Sequence, residues 1–370
     1  MKLFKSLLVA PATLGLLAPL SATANEVTIN DFNPAEELAI TNSRVDGLEA
    51  RLNNFEAGSF SETTTASFTA NFYLGATDTD DGSSTANDLD DSIMAGYDFQ
   101  IGLNTSFTGE DSLDITIDSG NAGGAGYAEY NGDNTTDFLK VDGVSYTFPL
   151  GGATVFVGDN TDGSALFTTA CVYGGPGNLL DDCGNVNAGI TGGAISAGAS
   201  YDFGNGFTIA SGMQTNQEVL TEESLDGVAL NAAYTGDNYG VSLTYSSVES
   251  SITEEDTATA INAYYTPEGL PSISVGYETV DIGGAASTVD EKESVFVGLT
   301  WDEVGPGSLG VALGYSDIVE GSDEEYMYEA YYSYPVNDGM TITPLVFVKE
   351  NATAGQDDTT GVMVKTSFSF

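Results

Sequence analysis

The sequence predicts an all-β fold: a transmembrane, antiparallel up-and-down β-barrel of 16 strands, preceded by a short N-terminal coiled-coil helix. Three observations carry this. Short segments alternate apolar with polar or small residues, the links between them switch between long and short, and the less greasy face is built of Ser, Thr, Gly and Ala. Alternation of period two marks a strand with two unlike faces. Short turns at one end, longer loops at the other and an even strand count are what a barrel in an outer membrane requires. A soluble β-sandwich also has short strands, but nothing in it calls for systematic switching of link length.

The segments fall near 64–76, 92–107, 111–117, 138–149, 152–159, 193–203, 207–216, 224–235, 239–249, 257–266, 271–281, 293–303, 308–318, 327–336, 340–350 and 359–370. Tight links hold Gly109-Glu110, Leu150-Gly151, Gly204-Asn205-Gly206, Gly236-Asp237, Glu268-Gly269, Gly305-Pro306-Gly307 and Asn337-Asp338-Gly339. Every other link is longer. Leu309, Val311, Leu313 and Tyr315 alternate with Ser308, Gly310, Ala312, Gly314 and Ser316. Val241, Leu243 and Tyr245 alternate with Ser242, Thr244 and Ser246, and Ile273, Val275 and Tyr277 with Ser274, Gly276 and Glu278. Lipid demands the apolar face outside, and a closed wall leaves no unpaired backbone in hydrocarbon. Because few inner residues are large, the interior is expected to hold water.

The ends suggest the compartment. Residues 1–24 carry Lys2 and Lys5, an apolar run from Leu7 to Leu20, then Ala22-Thr23-Ala24, the order of a cleavable signal peptide. Pro11, Gly15 and Pro19 interrupt the run, which falls short of the ~20 residues of a membrane-spanning helix. Residues 25–34 form an N-terminal extension, and 60–370 the barrel. The last strand presents Val362, Val364, Thr366, Phe368 and Phe370, an apolar row with a terminal aromatic, similar to the insertion signal of outer-membrane barrels; an ordinary edge strand is the plainer alternative.

Between extension and barrel, residues 35–57 read as a heptad helix. Leu38, Val45 and Leu52 are seven apart, and Leu48 and Phe55 fill the second seam with Thr41, flanked by Glu36, Glu37, Arg44, Asp46, Glu49 and Arg51. Gly47 weakens it, and an isolated helix of this length is marginal, so partner copies are implied. One amphipathic helix lying on the barrel base is the other possibility.

Charge excludes one class of partner outright. The chain has 8 Lys+Arg against 55 Asp+Glu, a formal net charge of -47, with no Arg after Arg51. Nucleic acid needs clustered cations. Acids crowd the long links: Asp78, Asp80, Asp81, Asp88, Asp90 and Asp91, then Glu254, Glu255 and Asp256, then Asp323, Glu324 and Glu325. Solvation of exposed loops explains those. Strand parity turns Asp98, Asp114, Asp202, Glu278 and Glu329 toward the interior, with Lys349 and Lys365; Lys140 is ambiguous because Asp142-Gly143 breaks the phase. A wall of that sign favours cations, moderately, because salt screens it.

The long loop 160–192 holds Cys171 and Cys183, the two cysteines of the chain. In an oxidising compartment they read as a disulfide, worth roughly 3 kcal/mol on the chain-entropy estimate. A loop longer than its connection needs has a function. It is expected to fold inward as a constriction bearing Asp162, Leu166, Phe167, Tyr173, Asp181 and Asp182, with a lid outside the barrel as the alternative.

Without His, a Ser-His-Asp site or imidazole metal site is impossible. The acids of 78–91 miss calcium-loop spacing, with Leu89 at the closing position. No catalytic, cofactor or metal residues are expected.

With these features in hand, the chain resembles the outer-membrane porins of cyanobacteria over nearly its whole length. The most specific stretch is Ser43 to Phe60 (SRVDGLEARLNNFEAGSF) joined to Thr64-Thr65-Ala66-Ser67-Phe68. The resemblance implies a stalked homotrimer with its stalk in the periplasm. Residues 25–37 are too few for the S-layer homology domain of stalked relatives, so wall anchoring does not carry over. The expected role is passive diffusion of small hydrophilic solutes and inorganic ions, with membrane lipid as surroundings. A carbohydrate- or iron-selective porin, or a tether between membrane and peptidoglycan, are the alternatives.

Overall fold

The computed structural model describes residues 63–78, 93–122, 132–177, 180, 182–192, 194–216, 226–251, 254–283, 290–351 and 358–370. The predicted signal peptide, extension and stalk, with Leu38, Val45, Leu48, Leu52 and Phe55, lie outside these residues, as do Asp181 and most of the acidic stretch 78–91.

The strands are β1 (Thr64–Asp78), β2 (Met94–Thr105), β3 (Ser112–Gly120), β4 (Lys140–Leu150), β5 (Ala153–Thr161), β6 (Ala194–Asp202), β7 (Phe207–Thr215), β8 (Asp226–Thr235), β9 (Tyr239–Ser251), β10 (Glu254–Tyr265), β11 (Ser272–Asp281), β12 (Glu291–Val304), β13 (Gly307–Val319), β14 (Met327–Asn337), β15 (Met340–Lys349) and β16 (Thr359–Ser369). Each is antiparallel to its neighbours, and β1 pairs with β16 to close the barrel. Phe72 stands opposite Thr366 at that seam, and Phe68 and Phe370 exchange backbone hydrogen bonds of 2.9 and 3.1 Å. The closed ladder leaves no free sheet edge.

Exposure orients the wall. Val241, Leu243 and Tyr245 are 44%, 48% and 44% exposed, whereas Ser242, Thr244 and Ser246 between them are 1%, 0% and 1%. The apolar face therefore points outward, opposite to a water-soluble sheet. Aromatic pairs rim the short-turn end, among them Phe68 with Phe370, Tyr201 with Phe203, and Tyr234 with Tyr239. Tyr315, Tyr326 and Tyr328 cluster at the other end. Amphipathic rings suit the two interfaces of a bilayer. Asp111 fixes the β2–β3 turn: its carboxylate accepts from Ser106 Oγ, the Phe107 and Thr108 amides, Thr108 Oγ1 and Tyr146 Oη, all within 2.6–2.9 Å. These donors, the Tyr146 hydroxyl foremost, hold it well below the usual carboxylate range.

Strand ends match the sequence reading to about three residues, with one consequence for a loop. β9 and β10 run on to Ser251 and start at Glu254, so their link is short. Glu254, Glu255 and Asp256, expected in a long acidic loop, belong to the wall, and a register shift at Glu254 and Glu255 accommodates them. Acids at a strand end that reaches water cost little, so composition was a poor guide there.

The interior corrects a second expectation. Tyr73, Phe296, Met327, Tyr331, Leu345, Phe347 and Met363 point inward and are buried together with Tyr173, Leu180 and Cys183 of the β5–β6 loop and Ala122 of the β3–β4 loop. A purely water-lined interior is not what the chain builds. Inward apolar side chains on β12 to β16 and β1 are covered by loops, which removes them from water.

Candidate functional site: the barrel interior and its inward loops

The small inner residues acquire a reason once the β5–β6 loop is traced. At its root, Asp162 Oδ1 accepts from Gly192 N at 3.2 Å and Ser164 N donates to Ile190 O at 3.3 Å, pinning the two limbs together. The outgoing limb then crosses the inner wall in extended form. Thr168 N donates to Asn231 Oδ1 (3.1 Å), Ala170 N to Ser242 Oγ (2.9 Å) and Val172 N to Ser274 Oγ (3.0 Å). Alternate amides of an extended chain face one way, so three successive wall-facing amides find a polar side chain on β8, β9 and β11. Asn231 Nδ2 also returns a bond to Thr168 O at 3.2 Å. Contacts with the inner face of β8, β9 and β11 place the loop inside the barrel.

The returning limb sits on β10 to β13. Asn262 Nδ2 donates to Cys183 O at 2.8 Å, and Asn187 Nδ2 to Asp317 Oδ1 at 2.9 Å. Glu278 Oε2 receives Asn187 N at 2.7 Å and Ala188 N at 3.3 Å. Cys171 and Cys183 are joined, with Cα atoms 6.4 Å apart, between the limbs. Seating this close demands glycine in the wall: a Cβ on Gly276 would stand 1.8 Å from Cys183 O, and one on Gly212 1.9 Å from Gly163 O.

At the far turn Tyr173 reaches β14, where its hydroxyl donates to Glu329 Oε1, with Phe296 and Tyr331 at ring-centroid distances of 5.3 and 5.6 Å. Burial first, then the Glu329 carboxylate, hold the Tyr173 phenol far above its ordinary value, so it stays a donor. Replacing it by Phe keeps the ring and removes the donor. The cost is expected to be about 1.5–3 kcal/mol, the range for losing a hydrogen bond to a charged group, read as a lower midpoint of heat-induced barrel unfolding in detergent. Tyr173→Ala should cost more by deleting the packing too.

These contacts divide the predicted site residues. Asp98, Glu278 and Glu329 lie on the inner face but are 5%, 0% and 5% exposed. Their carboxylates hold loops. Asp98 accepts from Tyr73 Oη (2.6 Å), Asn71 Nδ2 (2.7 Å) and Asp133 N (3.3 Å), anchoring the β3–β4 loop as Glu278 and Glu329 anchor the other. Asp114 meets open space and is braced by Asn104 Nδ2 and Ser112 Oγ, each at 2.6 Å. Asp202 is exposed at the short-turn end, where it accepts from Gly204 N at 2.8 Å. Lys365 lies over the Tyr73 ring, 5.4 Å from its centroid, and Lys349 stands opposite Met327 and Thr359. Asp162 is exposed, Leu166 and Phe167 half-buried, and Asp182 lines a cavity of ≈ 390 Å³ with Phe167, Tyr173 and the disulfide.

A larger space, ≈ 560 Å³, separates the loop from β3, β4 and β5. Asp114, Asp142, Asp162 and Lys140 line it with Thr116, Ser145 and Asn160. Asp142 as a lining residue and the inward β3–β4 loop were missed in the sequence, and the face of Lys140 was left open there by the broken phase at Asp142-Gly143. Gly120, Asn121, Ala122 and Gly132 were the available signal for the loop: Ala122 is fully buried, and a Cβ on Gly132 would stand 2.7 Å from the Ala122 Cβ.

The same architecture recurs in solved structures. OprB of Pseudomonas putida aligns at a TM-score of 0.58 and 12% identity, covering 83% of this chain and 94% of that one. A porin variant of Rh. blastica aligns at 0.56 and 14%, covering 83% and 100%. OmpT of Vibrio cholerae, an outer membrane protein, in a form lacking its loop L8, aligns at 0.59 and 10%, covering 84% and 100%. The barrel has the porin fold. No protein-family profile matches the sequence. An uncharacterised protein of the cyanobacterium Nostoc sp. is 26% identical over 436 aligned positions, spanning 95% of this chain and 74% of the relative.

Proposed function

We propose that this protein is an outer-membrane porin: a water-filled channel for passive diffusion of small hydrophilic solutes and inorganic ions, with a moderate preference for cations. One observation carries the reading. Within a porin fold whose apolar face looks outward, a polar gap beside the loop is bordered by Asp114, Asp142 and Asp162 against Lys140. A narrow passage walled by low-dielectric protein focuses the field of such charges. The disulfide-closed loop acts as the constriction, with Asp162, Phe167 and Asp182 nearest open space. The heptad positions Leu38, Val45, Leu48, Leu52 and Phe55 support a trimer with a periplasmic stalk. No side chain performs covalent chemistry in this scheme.

Reversal potentials across a planar bilayer under a KCl gradient test it. Cation preference is expected, growing as salt is diluted and the screening length rises from ~3 Å at 1 M to ~30 Å at 0.01 M. Asp114→Asn with Asp162→Asn is expected to reduce that preference by about twofold in dilute salt. Anion preference in the unaltered protein would refute the proposed selectivity, and a silent bilayer in every salt would refute the channel.

A further inference from the structure

Lys140 owes its position to a break in the strand. On an unbroken β4 that turns Gly143 and Ser145 inward, Lys140 would face outward into lipid, because side chains alternate strictly. The strand instead carries a bulge: Thr116 stands opposite Gly143 and Ile117 opposite Val141, leaving Asp142 as the extra residue. Val141 thereby takes the outer face, 52% exposed, and Lys140 comes to stand opposite Asp118 on the inner one. Asn160 braces the distortion from β5, its amide nitrogen donating to Val141 O at 3.3 Å and to Asp142 O. Asp118 is 3% exposed, and its Oδ1 is buried without a hydrogen-bond partner. Lys140 itself is exposed, and it lines the ≈ 560 Å³ gap with Asp114, Asp142 and Asp162.

We propose that Lys140 is a specificity-determining residue of the passage, a built-in positive charge that restrains the cation preference set by Asp114, Asp142 and Asp162 around it. The bulge is the device that delivers it. Removing the charge leaves the acids unopposed, so small cations gain over anions; a negative group at the same place exaggerates the effect. This inference rests on the channel reading of the same gap.

Its two native cysteines being joined, the chain offers a clean probe, since Lys140→Cys supplies a free thiol. The variant, in detergent and then in a planar bilayer, is compared with the unaltered protein before and after a quaternary-ammonium thiosulfonate or a sulfonate-bearing one. The cation-to-anion permeability ratio in dilute salt is expected to rise about twofold in Lys140→Cys, return toward the original with the cationic reagent, and rise further with the anionic one. All three differences should vanish near 1 M salt, where screening reaches ~3 Å. A ratio indifferent to substitution and to both reagents, in a protein that still conducts, would overturn the proposal. So would a thiol that neither reagent labels in the folded barrel, which places position 140 away from water. Lys140→Gln, with folding scored by heat-modifiable migration, repeats the measurement without a new thiol. A silent unaltered protein defeats the channel reading instead, and labelling still reports whether position 140 faces water.

Discussion

Excision of the loop between Ser164 and Ile190, with a short Gly-Ser bridge in its place, is expected to raise single-channel conductance on the order of threefold and to admit larger neutral solutes. The joint suits the geometry. Ser164 N and Ile190 O already lie 3.3 Å apart, and Thr161 and Ala194 below them are register partners on β5 and β6. The wall should survive, because its backbone hydrogen bonds run from strand to strand and none depends on the loop. Stability should nonetheless fall: Phe296, Leu345, Phe347 and Met363 lose their cover, and a buried side chain of this size is worth about 1.5–3 kcal/mol when shielded from water. A lower unfolding temperature and a larger conductance are therefore expected together. Unchanged conductance in a folded excision variant would show that the loop does not limit the passage.

Gly276→Ala should have the second largest effect, from a single methyl group. The added Cβ would stand 1.8 Å from Cys183 O and 2.8 Å from Asn262 Nδ2, and the first of these is backbone held by a disulfide. The loop has to lift from β11, breaking the bond from Asn262 to Cys183 and disturbing the seat of Asn187 and Ala188 on Glu278. Overpacking of this kind costs about 1–3 kcal/mol. The expected signs are a lower unfolding midpoint, new protease cleavage in 183–190 and a noisier open channel. Gly174→Ala is the control, since a Cβ there meets nothing within 4 Å. Equal behaviour of the two variants would argue that the loop does not rest on β11 as described.

The contrast between these glycines shows how far the residues could be read in one dimension. Gly276 alternates with Ile273, Val275 and Tyr277, and that pattern suffices to place it on the inner face. It does not say why the residue is small. A glycine beside water and a glycine beneath a packed loop look identical in sequence, and the first reading led to the expectation of an interior filled with water alone. The acids pose the same ambiguity. Parity turns Asp98, Asp114 and Glu278 to one side, yet Asp114 borders open space while Asp98 and Glu278 are consumed as loop anchors. Lys140 defeated parity altogether, because a bulge is one residue of backbone excess with no signature beyond the broken phase at Asp142-Gly143.

Strand count, face assignment, turn positions and the pairing of Cys171 with Cys183 follow from local rules: period two, turn chemistry, and two cysteines in one loop. Such rules act over a few residues, so the linear chain already contains them. Which acids border open space, which small residues carry the loop, and that Lys140 lines the gap beside it depend on the closed wall and on contacts between positions as distant as Tyr173 and Glu329. Those contacts exist only when the ladder closes and the loop turns inward, where burial, and not residue type, settles what each side chain does.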